Sequence, residues 1–484
     1  MNKELRRVSV IVLAMFLALF GSTTVISAIE ADNLAAQSNN RRVVLDSYSA
    51  QRGAILVEGT PIAYSEPSDD VYRFQRIYSE GEKYSGVTGY FTLNQGSTGL
   101  EGSLNQQLSG TANSQFFDQL NAIITGQEPT GASIATTLDA EAQQAAWDAM
   151  QGYEGAVVAI EPSTGRILAL VSTPGFDPNP LASHITSEVI ERYTALDEAR
   201  PSPLQNRAYG GGQYSPGSTF KIIMTAAALE NGYAPDSQFE NPATLTLPGT
   251  NTQINNPVVG QCSGGGDTVS MATALNLSCN IPYAELAQDL GVDTVADMAE
   301  AFGFNSSTQI PMTSTPSRYP RDIDEAQLML TAFGMSSVRV NALQNAMVVA
   351  AVANDGVLMQ PTLVDSVIAA DLSVLDEFQA SELGRPITSA TASTLNDMLV
   401  DGVSNGAAGG ARIDGVAVGG KTGTGENGPG EPFNLWFSGF APAEDPQVAV
   451  SVIVGDGGGR GQQLSGNALA APIARQVMEA VLNQ

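Results

Sequence analysis

The chain has 484 residues, long enough for two or three domains and a large core. Its 50 acidic residues against 22 basic ones leave a net charge of −28 with no basic stripe, which excludes nucleic-acid binding and disfavours adhesion to anionic lipid. The single histidine, His184, lies in a polar stretch and reads as a surface residue. No Cys/His cluster has metal-ligand spacing, so neither a zinc centre nor a histidine-based catalyst is expected.

Lys3, Arg6 and Arg7 precede residues 8–29, an uncharged run rich in Val, Ile, Leu, Phe and Ala. That length spans a bilayer as a helix, and the basic flank before it, with Glu30 and Asp32 after it, keeps the N-terminus cytoplasmic and the bulk outside. A cleaved signal peptide is the competing reading. Ile26-Ser27 before Ala28 make a mediocre cleavage site, so residues 1–29 are expected to be an uncleaved anchor.

Residues 30–131 are mixed and polar, with β-like runs at 42–45 and 54–57 and a helical stretch ending near Leu108. They hold no constellation of catalytic groups and read as a docking domain. The segment 126–133, with Pro129 and Gly131, reads as a linker. The third unit, 132–484, opens with a helix from Thr137-Leu138-Asp139 through Met150. Two strands follow, 155–160 and 166–171, joined by the hairpin signal Glu161-Pro162-Ser163-Thr164-Gly165. Antiparallel strands ahead of a helical region predict an α+β fold.

Pro216-Gly217 turns the chain into Ser218-Thr219-Phe220-Lys221 and the apolar run 222–229, a buried helix stopped by Asn231-Gly232. Ser218 at the helix start and Lys221 at i+3 share a face and form a candidate nucleophile and base. Only Lys3, Lys83, Lys221 and Lys421 are lysines, and lysine, unlike arginine, can give up its proton when desolvated. An incidental lysine at a helix start fits this one motif equally well.

The chain then reads as mostly helical to about residue 354. Within it, Ser278-Cys279-Asn280 forms a loop between helices at 271–277 and 281–290, with Pro282 in the first turn of the second. Asn280 as a simple cap of that helix is an equal reading. Cys262 and Cys279 are either a disulfide, worth roughly 3 kcal/mol in the entropic model, or two buried thiols. The last third returns to strands at 416–424, 435–440 and 448–454 before a terminal helix at 468–482. Lys421 with Thr422 and Thr424 offers a cation and hydroxyls to a carboxylate, beside glycines that leave an edge for an extended peptide.

Ser218-Thr219-Phe220-Lys221, Ser278-Cys279-Asn280 and Lys421-Thr422-Gly423, in this order and spacing, resemble the S-x-x-K, S-x-N and K-T-G set of the penicillin-recognising serine transpeptidases. Asp177-Pro178-Asn179, Asn206-Arg207-Ala208 and Gly439-Phe440-Ala441-Pro442 are similar to segments of class B penicillin-binding proteins. Arg52-Gly53-Ala54-Ile55 and Gly99-Leu100-Glu101 are similar to that class's N-terminal domain. The resemblance therefore covers nearly the whole chain, and it looks most like the small actinobacterial type.

The resemblance implies an α+β penicillin-binding fold, an antiparallel sheet flanked by helices, behind a smaller N-terminal mixed domain and one transmembrane helix. It implies a cofactor-free D,D-transpeptidase that cross-links peptidoglycan. Ser218 would be the nucleophile and Lys221 the base, its pKa lowered by burial and by Lys421. Ser278 would relay a proton, and Asn280 would bind the peptide amide. Backbone N–H groups of Ser218 and Thr424 would form the oxyanion hole, and Thr422, Gly423 and Thr424 would line the carboxylate site. The implied partners are stem peptides and their lipid-linked precursor, with β-lactams as inhibitors. No glycosyltransferase-sized segment precedes the transpeptidase region, so a SEDS-family membrane glycosyltransferase is the expected partner for glycan synthesis.

Asn434-Leu435 stands where many relatives carry His-Ala and is assigned no role. Cys279 inside the second motif would let a disulfide to Cys262 brace the active-site loop. A β-lactamase or D,D-carboxypeptidase shares the three motifs. A non-catalytic scaffold would not need to keep Ser218, Lys221 and Lys421.

Overall fold

The computed structural model describes residues 2–30, 50–115 and 130–483; the β-like run at 42–45 and residues 126–129 of the expected linker lie outside these. At the N-terminus, helix α1 (Asn2–Thr24) continues into one π turn, Val25–Ile29. Its apolar window Leu5–Ser27 has a mean hydropathy of 2.3, and none of it is buried against the rest of the chain. Leu13, Phe16 and Phe20 all face outward. A helix that is apolar all round and 23 residues long fits a bilayer rather than water.

The N-terminal region is built on a sheet of six strands. Ile55–Val57, Thr60–Pro67 and Phe74–Tyr78 form an antiparallel meander. Ser133–Thr136 runs parallel to the first of them, with Ile55 opposite Ile134, and is flanked on its other side by Val364–Ile368 and Val374–Glu377. The sheet thus draws strands from both sides of residue 131. Beneath it Glu101, fully buried, accepts from Arg52 at 2.7 Å and from Arg76 at 2.6 Å, while Tyr78 donates to it at 3.3 Å. Burial alone would raise Glu101, but Arg76 and Arg52 hold its pKa below the usual carboxylate range. The segments beginning at Arg52 and ending at Glu101, separate in sequence, meet in this one buried network.

The larger unit is organised around five antiparallel strands. Helix α2 (Ala140–Ala149), capped by Asp139 on the amide of Ala142 at 2.7 Å, leads into β1 (Gly155–Ile160) and β2 (Ile167–Thr173). Helix α3 (Lys221–Glu230) follows. The next stretch departs from the helical expectation: residues 238–270 form short strands, Gln238–Glu240 and Thr244–Thr246, then Gln253–Asn255 and Thr268–Ser270. Alternating threonines interrupted by Pro242, Pro248, Pro257 and several glycines suit hairpins and prevent a helix there. Helices α4 (Ile281–Ala301), α5 (Ala342–Ala353) and α6 (Ser389–Ser404) precede β3 (Gly419–Gly425), β4 (Asn434–Ala441) and β5 (Val448–Val454), and α7 (Ala470–Leu482) ends the chain.

The sheet order is β3-β4-β5-β1-β2, which leaves β3 at an edge. Helices α2 and α7 cover one face and α5 with α6 the other. Nearly every strand residue is therefore buried, which explains the uninterrupted apolar runs in β1 and β5.

Two of the segments that carry the resemblance join the two regions. Asn179 accepts from the Tyr78 amide and donates to the Tyr78 carbonyl, each at 2.9 Å, and Asn206 donates to the Gly86 carbonyl at 2.8 Å. His184 is a correction to the surface reading. Its side chain is only 10% exposed, paired with Asp70 and packed at 4.8 Å from the Tyr72 ring.

Removing Glu101 strands two buried guanidinium groups. Glu101→Ala should cost about 3–5 kcal/mol by the usual penalty for breaking a buried ion pair. Thermal unfolding followed by circular dichroism tests this, and an unchanged melting temperature would contradict it.

Candidate active site

The four residues Gly217–Phe220 form a 3-10 turn that runs directly into α3. Each side chain of Ser218-Thr219-Phe220-Lys221 has its own direction. Ser218 is half-buried, whereas Lys221 is fully buried. Thr219 donates to the Pro216 carbonyl at 2.9 Å and accepts from Asn345 at 3.2 Å. Phe220 stacks on Tyr319 at 5.4 Å and meets Phe304 edge-on at 5.9 Å. The turn that carries Ser218 is thus pinned through Thr219 and Phe220.

On the other side the turn lies against β3 with almost no spare room. Gly217 has φ +54°, and a Cβ there would come within 2.5 Å of the Thr424 carbonyl. A Cβ on Gly423 would sit 2.6 Å from the Pro216 carbonyl oxygen. Trp436, from β4, donates to the Ser215 carbonyl at 3.0 Å, and Ser215 donates to the Gly334 carbonyl at 2.7 Å. The glycines of the third motif are thus sites of close backbone approach, and they bring Ser218 beside Thr424.

The middle motif joins the other two. Ser278 adopts φ +61°, a left-handed conformation in the loop before α4. This turns its carbonyl to Lys221, which donates to it at 2.7 Å, and its hydroxyl to Lys421, which donates to it at 2.8 Å. Asn280 Oδ1 accepts a second bond from Lys221 at 2.8 Å. Between them, Cys279 is bonded to Cys262, which fastens the loop to the hairpin region upstream.

Among the described residues no carboxylate pairs with Lys221 or Lys421. Burial pushes Lys221 well down from the ordinary lysine value, and the charge of Lys421 pushes the same way. Burial pushes Lys421 down to about 7. The ring of Tyr283 lies 5.3 Å from Lys221 Nζ and that of Phe333 at 6.0 Å, so the amine is walled by aromatic surface. An amine pushed toward its neutral form by burial, on the helix start that follows the serine turn, is suited to accept a hydroxyl's proton.

Of the residues expected from sequence, Lys221, Ser278, Asn280 and Lys421 meet through hydrogen bonds, and Ser218 lies on the turn that leads into Lys221. The threonines stand differently. Strand alternation places Thr422 and Thr424 on the face opposite Lys421, and the Thr422 hydroxyl donates to the Ala407 carbonyl at 3.3 Å. Asn280 Nδ2 is already engaged with the Asn255 carbonyl at 2.9 Å. Asn434, buried, pairs with Asn427 at 2.8 Å. Sequence reasoning missed Asn255, at the end of a short strand, and Asn256, Phe333 and Gly334 in loops, none of them in a motif; only Gly334, at φ +73° against the Gly217 backbone, carries a local signal.

An antiparallel sheet between helical layers, with a serine–lysine pair at its edge strand, defines a protein of the penicillin-recognising transpeptidase class. Residues 155–479 match the penicillin binding protein transpeptidase domain, and residues 52–134 match the penicillin binding protein A dimerisation domain. The peptidoglycan D,D-transpeptidase PbpA of Mycolicibacterium smegmatis is 40% identical over 493 residues, covering 100% of both chains. Its counterpart from Mycobacterium tuberculosis is 40% identical over 491 residues, covering 100% of this chain and 99% of that one. The ceftriaxone acyl-enzyme structure of M. tuberculosis penicillin-binding protein A superposes with a TM-score of 0.87 at 40% identity, covering 90% of this chain and 100% of that one. The chain belongs to the class B penicillin-binding protein transpeptidase family.

The displaced lysine titration has a sign that can be measured. Between about 7, where folded Lys421 releases its proton, and the unfolded lysine value, only the unfolded chain stays protonated. Stability attributable to this group therefore rises with pH across that window, at about 1.4 kcal/mol per pH unit. Melting curves of wild type and Lys421→Met from pH 7 to 10 should diverge, with the wild type climbing more steeply. Parallel curves would count against a displaced lysine.

Proposed function

We propose that this chain is a peptidoglycan D,D-transpeptidase working through a Ser218 acyl-enzyme, and that β-lactams acylate the same serine. The observation that carries the reading is the buried Lys221 amine, held by Ser278 and Asn280 at the start of the helix that presents Ser218. Ser218 Oγ attacks the penultimate D-Ala carbonyl as Lys221 accepts its proton. The N–H groups of Ser218 and Thr424 hold the resulting oxyanion. As the bond to the terminal D-Ala breaks, the proton passes through the Ser278 hydroxyl to the departing amine. The amine of a second stem peptide then attacks the acyl carbon, its surplus proton returns along the same path, and Ser218 is released.

Lys421 supplies positive charge for the substrate carboxylate, with Thr422, Gly423 and Thr424 lining the same strand. The free edge of β3 supports binding of the stem peptide as an added strand. Asn280 meets the peptide amide from the opposite wall.

Residues 1–29 act as a single-pass anchor with a cytoplasmic N-terminus, a reading supported by Lys3, Arg6 and Arg7 ahead of the apolar window. Residues 30–131 serve as a docking module and 132–484 as the transpeptidase. The unburied apolar face of α1 is available to a SEDS-family glycosyltransferase that makes the glycan from lipid-linked precursor.

Full-length protein in detergent, incubated with penicillin G and analysed by intact mass, should give a stable one-to-one adduct that is absent in Ser218→Ala. Absence of the adduct in wild type overturns the acyl-enzyme, and rapid drug turnover would mark a lactamase. With a pentapeptide donor, D-Ala release that produces cross-linked product when an acceptor amine is added supports transpeptidation. Hydrolysis alone would mark a carboxypeptidase.

A further inference from the structure

Asn280 occupies the N-cap position of α4, where an asparagine side chain ordinarily turns back to satisfy its own helix. It does not do so here; no side-chain cap bond is made. Two free amides at this helix start are instead taken by a residue 24 positions upstream. Asn256 Oδ1 accepts from Asn280 N at 2.9 Å and from Ile281 N at 3.2 Å. Asn256 is only 4% exposed, and its Nδ2 donates to the Gly260 carbonyl at 3.0 Å, so its own orientation is determined.

Asn256 thus holds the Asn280 backbone in place, and Pro282 offers no amide to cap at the second helical position, so the Asn280 side chain turns toward Lys221. Its Nδ2 donates to the Asn255 carbonyl at 2.9 Å, and an amide whose nitrogen faces a carbonyl must present its oxygen on the other side. That oxygen is the atom that accepts from Lys221. Rotating the Asn280 amide by half a turn would set carbonyl against carbonyl and NH2 against amine. Lys221 then has two acceptors, Asn280 Oδ1 and the Ser278 carbonyl, which match the two N–H bonds of a neutral amine. One lone pair is left for the proton of Ser218.

We propose that Asn256 and the Asn255 carbonyl are a positioning pair for acylation: Asn256 takes over the start of α4, and Asn255 holds the Asn280 amide with its oxygen toward Lys221. The pair touches neither substrate nor reacting atom and acts through Asn280. This rests on the reading of Lys221 as the base.

The titratable groups facing Lys221 are Lys421 from β3 and Tyr283 from α4. In Asn256→Ala the Asn280 backbone loses both anchoring bonds, so its side chain should drift from Lys221 and leave the amine with one acceptor. Losing an acceptor disfavours the ammonium form, so the acid limb of the acylation profile moves to lower pH while the plateau rate falls. Asn256→Asp keeps the accepting oxygens, and its charge suits a helix N-terminus.

The test is the second-order rate of penicillin acylation of the full-length chain from pH 5 to 9, for wild type and both variants. The expected result is a plateau at least tenfold lower for Asn256→Ala with its acid limb at lower pH, and Asn256→Asp within about threefold of wild type. A wild-type rate and limb in Asn256→Ala overturn the proposal. So does a lower rate with an unmoved limb, which marks a merely structural loss. If Asn256→Ala does not fold, Asn256→Ser replaces it and is read the same way. Wild type that fails to acylate overturns the lysine-base reading instead, so the two failures are distinct.

Discussion

Two lysines are buried around one serine, and among the described residues no acid pairs with either. Lys221 reaches the Ser278 carbonyl and Lys421 its hydroxyl, so Ser278 stands between two amines in a dry, aromatic-walled space. Taking an ammonium group out of water costs several kcal/mol, and neighbouring like charges add to that cost. The least costly answer is to release a proton. The rest of the site follows from this constraint: the three motifs must arrive from a helix, a loop and a strand and close tightly enough to exclude water.

That closure depends on backbone-to-backbone contact. Gly217 and Gly423 allow the serine turn and the edge strand to touch, and Phe220 and Thr219 hold the turn from behind. The left-handed conformation of Ser278 lets one residue offer its carbonyl and its hydroxyl to different lysines. The bond between Cys262 and Cys279 and the reach of Asn256 tie this loop to the upstream hairpins. A region with no catalytic side chain thereby becomes part of the scaffold of the second motif.

The N-terminal region is attached by equally specific means. Asn179 reads both polar groups of Tyr78, and a sheet runs through strands from both parts of the chain. Glu101 gathers Arg52 and Arg76 into a network whose value is structural. Hydrogen bonds and paired strands thus join the N-terminal region to the catalytic unit.

The sequence by itself carried the chemistry. The scarcity of lysine and the apolar run behind Ser218 pointed to Ser218 and Lys221 as a candidate nucleophile and base, and the three motifs in order carried the resemblance that implied the remaining roles, because motifs depend on residue type and short spacing. The strands at 155–160 and 448–454 were legible because a sheet covered on both faces demands long apolar runs. What tertiary structure decided was everything that depends on distant segments meeting. The hairpins at 238–270 were misread as helix, His184 was missed as a half-buried partner of Asp70, and Asn255, Asn256 and Gly334 carried no motif. Whether Asn280 caps its own helix or faces Lys221 could not be read locally, since both uses suit an asparagine at that position. The answer lay in the amide of another asparagine 24 residues away, and only the folded chain brings the two together.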